Sequence, residues 1–141
     1  MVDADILLLA IVNMAEGVKN LIGDKGAKAV MRDAGKQAGP KLLESLIGHF
    51  PESLHKEEAL KRSCLILENL GFAKSIRIEG DRVIVEEDIF TDAIVGDDLI
   101  NSPVIYFFAG LIEGFTSFMS DEKVILSPVE VQKGKIVYKW N

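Results

Sequence analysis

The spacing of apolar positions changes character along the chain. Ile6 to Val12 is a continuous apolar run, Val30 to Ile47 recurs near every 3.6 residues, and Ser75 to Glu79 alternates strictly. The pattern predicts helices over 3–22, 27–47 and 53–70, then a hairpin from Ser75–Glu79 and Val83–Glu86 turning at Gly80-Asp81. Asp3 or Asp5 gives the first helix an acidic start, and its apolar residues lie on nearly all sides. Such a helix wants cover on more than one face, which a second subunit can supply. Gly23-Asp24-Lys25-Gly26 reads as a turn. The second helix carries Val30, Met31, Ala34, Ala38, Leu42, Leu46 and Ile47, with a kink expected at Pro40 and a stop at Gly48-His49-Phe50-Pro51. The third starts at Ser53, buries Leu60, Cys64, Leu67 and Leu70, and stops at Gly71.

Residues 88–101 are acidic and irregular, with a short helical turn expected around Thr91 to Val95. A second strongly apolar stretch follows. Ser102 can cap it and Pro103 suits its first position, so 103–119 reads as a helix. It holds four of the seven phenylalanines and a single charge, Glu113. Val124–Leu126 and Val129–Val131 flank Ser127-Pro128, where the proline implies an edge strand or a bulge, and Ile136–Trp140 is the last strand. Three helices, a hairpin, a helix and a hairpin define an α+β domain spanning 1–141, its helices packed on a twisted four-stranded antiparallel sheet.

Composition narrows the function. A net charge of -6 with no basic run argues against a nucleic-acid partner. The single cysteine, Cys64, excludes an internal disulfide and suits a cytoplasmic protein. No membrane span is expected, because Asn13, Glu16 and Lys19 interrupt the first apolar run; Asp3 and Asp5 stand where a signal peptide would be basic. No nucleophile constellation appears, His49 and His55 lack metal-ligand spacing, and the acidic loop lacks calcium-loop spacing. The turn at residues 23–26 has no preceding strand, so it is not a phosphate loop.

What remains is apolar volume and two glycine pairs. Gly110 and Gly114 lie four apart on one helix face, as do Gly35 and Gly39. Each costs about 1 kcal/mol against alanine in a helix interior, so the smooth face must meet another backbone or a ligand. An apolar pocket between helices and sheet would be lined by Met31, Gly35, Tyr106, Gly110, Gly114 and Trp140, with tyrosine and tryptophan supplying the polar contacts. The alternative is ordinary core.

Two segments carry a family resemblance. Ala29-Val30-Met31-Arg32-Asp33-Ala34-Gly35-Lys36-Gln37-Ala38-Gly39 and Phe107-Phe108-Ala109-Gly110-Leu111-Ile112-Glu113-Gly114-Phe115 resemble the two glycine-paired helices of vinyl-4-reductase domains, with Asn69-Leu70-Gly71-Phe72 fitting between them. The resemblance covers about residues 20 to 140 and extends to archaeal hydrocarbon-binding proteins and the sensor domains of aromatic-responsive activators. Trafficking-complex subunits of the TRAPP type share the fold. It implies a cytosolic, often dimeric domain that binds a small molecule or serves as a scaffold. Many such domains hold zinc through cysteines and an acidic residue. The corresponding positions here are Ile105, Ser127, Glu130 and Tyr138, so no metal and no cofactor are expected. The leading expectation is a non-catalytic homodimeric domain for an apolar small molecule, whose regulatory output passes through a protein partner. A structural subunit with a filled core and an apolar patch around Ile6 to Val12 is the alternative; an enzyme has the least support.

Overall fold

The computed structural model describes residues 3–49 and 53–141. Helix α1 is Ala4–Ile47, α2 is Lys56–Asn69 and α3 is Pro103–Met119; the strands are β1 Ala73–Glu79, β2 Arg82–Asp88, β3 Leu126–Gln132 and β4 Lys135–Trp140. The sheet order is β1-β2-β4-β3 and every neighbouring pair is antiparallel. This is the expected α+β arrangement. α3 is its centre: it packs on α1, α2 and β3, and 13 of its 17 residues are buried. A helix apolar all round is stable in water only when covered all round.

The two expected N-terminal helices run on as one element with a single break. Gly23, at φ 86° and ψ 169°, is its only non-helical residue, so the four-residue turn contracts to one glycine that can adopt the left-handed region. Pro40 is passed with helical dihedrals, and the break lies at Gly23 instead. At the other end Gly48 caps the helix at φ 73°; Phe50 and Pro51, the rest of the expected stop, lie outside the described residues.

Near the N-terminus α1 is long and apolar enough to cross a membrane by length and composition, with a mean hydropathy of 1.5 over its best window. Glu16 and Lys19 interrupt the first apolar run but dilute an eighteen-residue average only slightly. The helix nevertheless lies against the domain. Val12 and Ala15 are buried in the core, and Ser102 Oγ donates to Glu16 at 3.0 Å. Ile6, Leu7, Leu9, Met14 and Leu21 stay exposed on its outer side.

Smaller differences have local causes. α2 begins at Lys56 rather than Ser53, because Ser53 Oγ donates to Asp121 and His55 Nδ1 meets Glu122, each at 3.1 Å, which ties this segment to the one after α3. β3 is one strand at the sheet edge, with a register shift between Pro128 and Glu130. Val124 and Ile125 fall outside it, because β4 supplies pairing partners only as far as Trp140, opposite Leu126. In the acidic loop, buried Asp88 accepts from the Phe90 and Thr91 amides and from Thr91 Oγ1, winding a short 3-10 turn over Thr91–Ala93.

Cys64 sits in the core as its helical stripe implies. Burial, reinforced by the neighbouring Glu68 carboxylate, pushes its thiol up to about 12. The native protein is therefore expected to resist iodoacetamide at about pH 8 and to label once unfolded. Rapid labelling of the native protein, followed by mass spectrometry, would contradict this burial.

Candidate functional site

The glycine pairs face each other. A Cβ on Gly35 would clash with the Phe107 carbonyl and lie 2.7 Å from the Leu111 nitrogen; one on Gly39 would lie 3.0 Å from Gly114 Cα. In return, a Cβ on Gly110 would clash with the Arg32 carbonyl, and one on Gly114 would lie 2.7 Å from the Lys36 carbonyl. Of the two reasons for a smooth helix face, a crossing backbone is the one that operates at these four positions.

That close approach creates a polar centre. Arg32, one turn before Gly35 on α1, reaches Glu113 on α3: Nη1 donates to Glu113 Oε2 at 2.5 Å while Nη2 donates to the Leu126 carbonyl at 2.7 Å. Glu113 Oε2 also accepts the Leu126 amide at 2.8 Å. One ion pair thus pins the start of β3 to the helix crossing. Glu113 has 3% of its side chain exposed and Arg32 22%, so the carboxylate bears most of the desolvation. Burial drives the Glu113 pKa upward; the Leu126 amide, Arg32 and Lys36 oppose that rise. Two helical turns earlier on the same face, the Tyr106 ring lies under both Arg32, 5.5 Å from its centroid, and Lys28, at 5.2 Å. Lys28 is held there by a 2.6 Å bond to Asn101 Oδ1.

A cleft of about 240 Å³ opens beside this centre, lined by Lys36, Glu113, Ser117, Lys123, Val124 and Ile125. A second of about 240 Å³ shares Ile125 with it and continues past Ser127 and Lys139 to Trp140 and Asn141. Among the described residues, Glu113 Oε1 accepts no hydrogen bond, yet no buried side-chain polar atom is left unpaired. Oε1 therefore reaches accessible space at the cleft that Glu113 lines. A buried carboxyl with a displaced pKa at the edge of a cleft marks a candidate site.

The predicted residues divide into groups. Gly35, Gly110 and Gly114 form the helix crossing, and Met31 is buried beside it. Tyr106 is half-buried beneath the two cations. Trp140 lines the second cleft, with its indole N–H already donated to the Gly80 carbonyl at 3.0 Å, so it offers a ring face rather than a polar contact. Between α3 and the sheet, where the apolar pocket was expected, Phe108 packs its ring against Phe72, Phe90 and Tyr138 at centroid distances of 6.0, 5.2 and 6.3 Å. That space is core.

The positions matching the family's metal ligands do gather in part. Tyr138 Oη donates to the Ile105 carbonyl at 2.6 Å, both residues are fully buried, and Pro128, next to Ser127, pairs with Tyr138 across the sheet. Burial raises the Tyr138 pKa well above its ordinary value, so the phenol remains a donor. Glu130 lies apart, paired with Lys135 at 3.4 Å. Among the described residues, no group of three or more His, Cys, Asp or Glu is placed to hold a metal ion.

Arg32, Lys36 and Lys123 were missed in the sequence. The signal for Arg32 was available: a lone acid on a buried helix needs a cation, and Arg32 lies within a turn of the glycine that faces the same helix.

No family model matches the sequence, and no curated protein matches it. The fold has a solved counterpart in the crystal structure of the phenol-responsive sensory domain of the transcription activator PoxR with phenol. The TM-score is 0.61 at 11% identity, covering 94% of this chain and 73% of that one. The class shown is an α+β domain, and the likeness to that structure is one of fold.

Proposed function

We propose that this protein is a non-catalytic, regulatory small-molecule-binding domain, a cytoplasmic homodimer of the vinyl-4-reductase type. The observation that carries the reading is the fold shared with the PoxR sensory domain along 94% of the chain. The paired glycine helices and the buried Glu113 at a cleft support it. An apolar guest would lie in the two neighbouring clefts that share Ile125, against the Trp140 ring. Gly114 and the crossing at Gly35 and Gly110 would shape the wall, with Met31 packed behind it and the Tyr106 ring beneath Arg32. Dimerisation would bury the outer side of α1, where Ile6, Leu7, Leu9 and Met14 are exposed. The opposite side of this segment places Val12 and Ala15 in the core. That exposed stripe, together with the filled interior, also favours a second reading as an assembly subunit.

Native mass spectrometry with phenol, octan-1-ol and octanoate tests both parts. The expected result is a dimer with one guest per protomer, converted to a monomer by Leu7→Asp with Met14→Asp. If none of the guests is retained at millimolar concentration, the binding reading fails. A monomer throughout removes the dimer.

A further inference from the structure

We propose that the cleft between α1, α3 and the segment before β3 binds the carboxylate end of a small amphipathic acid, whose apolar tail runs over Ile125 towards Trp140. This deepens the binding reading above and rests on it.

Charge is the first reason. The chain as a whole is acidic, with 22 Asp and Glu against 16 Lys and Arg. Lys36 and Lys123 nonetheless line the same cleft from different elements, and among the described residues neither makes an ion pair. Lys36 also lies close enough to act on Glu113, the buried carboxyl in the same lining. The carboxylate already there does not cancel them, because Arg32 is bonded to it. The two lysines of the lining therefore outnumber its one acid, which Arg32 already pairs, and that surplus favours an added anion. Ser117 lines the same mouth with a hydroxyl whose proton goes to the Gly114 carbonyl at 2.9 Å. Its lone pairs are of no use to an anion, so the lysines are the recognition groups.

Shape is the second reason. Beyond the lysines the walls are Val124 and Ile125, and Ile125 is 53% exposed, an apolar side chain with no cover of its own. It is shared with the next cleft, where Trp140 presents a ring whose N–H is already spent on Gly80. Lys36 and Lys123 line the first cleft, Ile125 is common to both, and Trp140 lines the second beside Ser127, Asn141 and Lys139, the last paired with Asp81 at 4.0 Å. A carboxylate with a short alkyl or aryl tail matches this lining; a pure hydrocarbon leaves the lysines idle, and an inorganic anion leaves Ile125 and Trp140 bare.

The test compares octanoate with octan-1-ol, a neutral molecule of the same chain length. Trp140 is the only tryptophan, so its fluorescence reports occupation of the far end, and calorimetry gives the affinity independently. Octanoate is expected to bind about tenfold more tightly than octan-1-ol at low salt, as a charge-assisted hydrogen bond implies. Lys36→Gln with Lys123→Gln should erase that preference while leaving octan-1-ol unchanged; both lysines are exposed, so the variant should fold. Equal binding of the two probes, or a preference unaffected by the double substitution, overturns the acid-binding proposal while the wider binding reading stands. Binding of neither probe, with phenol also rejected, overturns both.

Discussion

Gly110→Ala is expected to cost the protein about 3 kcal/mol, the upper range for overpacking a filled interior. The new methyl would be driven into the Arg32 carbonyl. Neither helix can yield easily, because the facing Gly35 is itself against the Phe107 carbonyl and the Leu111 nitrogen. The substitution also gains about 1 kcal/mol of helix propensity, which the clash must exceed. Gly17→Ala separates the two effects. Gly17 is helical too, but a Cβ there meets nothing within 4 Å, so this change should stabilise by about 1 kcal/mol. Thermal unfolding should move in opposite directions for the two variants, by roughly 10 °C downward for Gly110→Ala. Equal or greater stability in Gly110→Ala would mean that the helices do not cross at these glycines.

Arg32→Met is the second large effect. It leaves Glu113 buried with no bonded cation and removes the donor to Leu126, for a loss of about 3 kcal/mol near neutral pH, the low end for a broken buried pair because Arg32 is partly exposed. The loss should depend on pH in a definite direction. Glu113 already has its pKa raised in the folded state by burial, and deleting Arg32 removes one of the influences holding it down. For a raised carboxyl, the stabilising contribution is fully present below the unfolded value of about 4.3 and disappears as pH rises through the folded value. The penalty of Arg32→Met should therefore be small in mild acid and grow towards neutrality. Adding Glu113→Gln should flatten that dependence, since an amide can still accept the Leu126 N–H. Urea titrations of the native, single and double variants across this range measure it. A penalty below about 1 kcal/mol, unchanged with pH, would show that the pair contributes no more than a surface bridge.

Much of the fold was legible because local rules and tertiary packing agree. Alternation from Ser75 to Glu79 and Pro128 at an edge needed no knowledge of the neighbours. Boundaries were missed where a distant group decides: Ser53 is drawn to Asp121 instead of capping α2, and the start of β3 depends on what β4 can pair with. The site was less legible. Tyr106 and Trp140 were singled out for polar contacts, but the Tyr106 ring is covered by two cations and the Trp140 N–H is taken by Gly80. The cleft is lined by Lys36 and Lys123, and Arg32 pairs with the Glu113 beside them; charged positions of this kind carry no periodic signal in the sequence.

The sequence by itself determined that two helices with paired glycines had to be approached closely, since four unfilled Cβ positions in helix interiors carry a free-energy cost that only close contact offsets. It also determined the antiparallel α+β layout, through the switch in apolar period. Only the tertiary structure decided that each glycine pair is the other's partner, and that Glu113 is thereby buried against Arg32 with Lys36 and Lys123 at its margin. Backbone periodicity is local, whereas the partner of a buried charge is chosen by elements 81 residues apart in the chain.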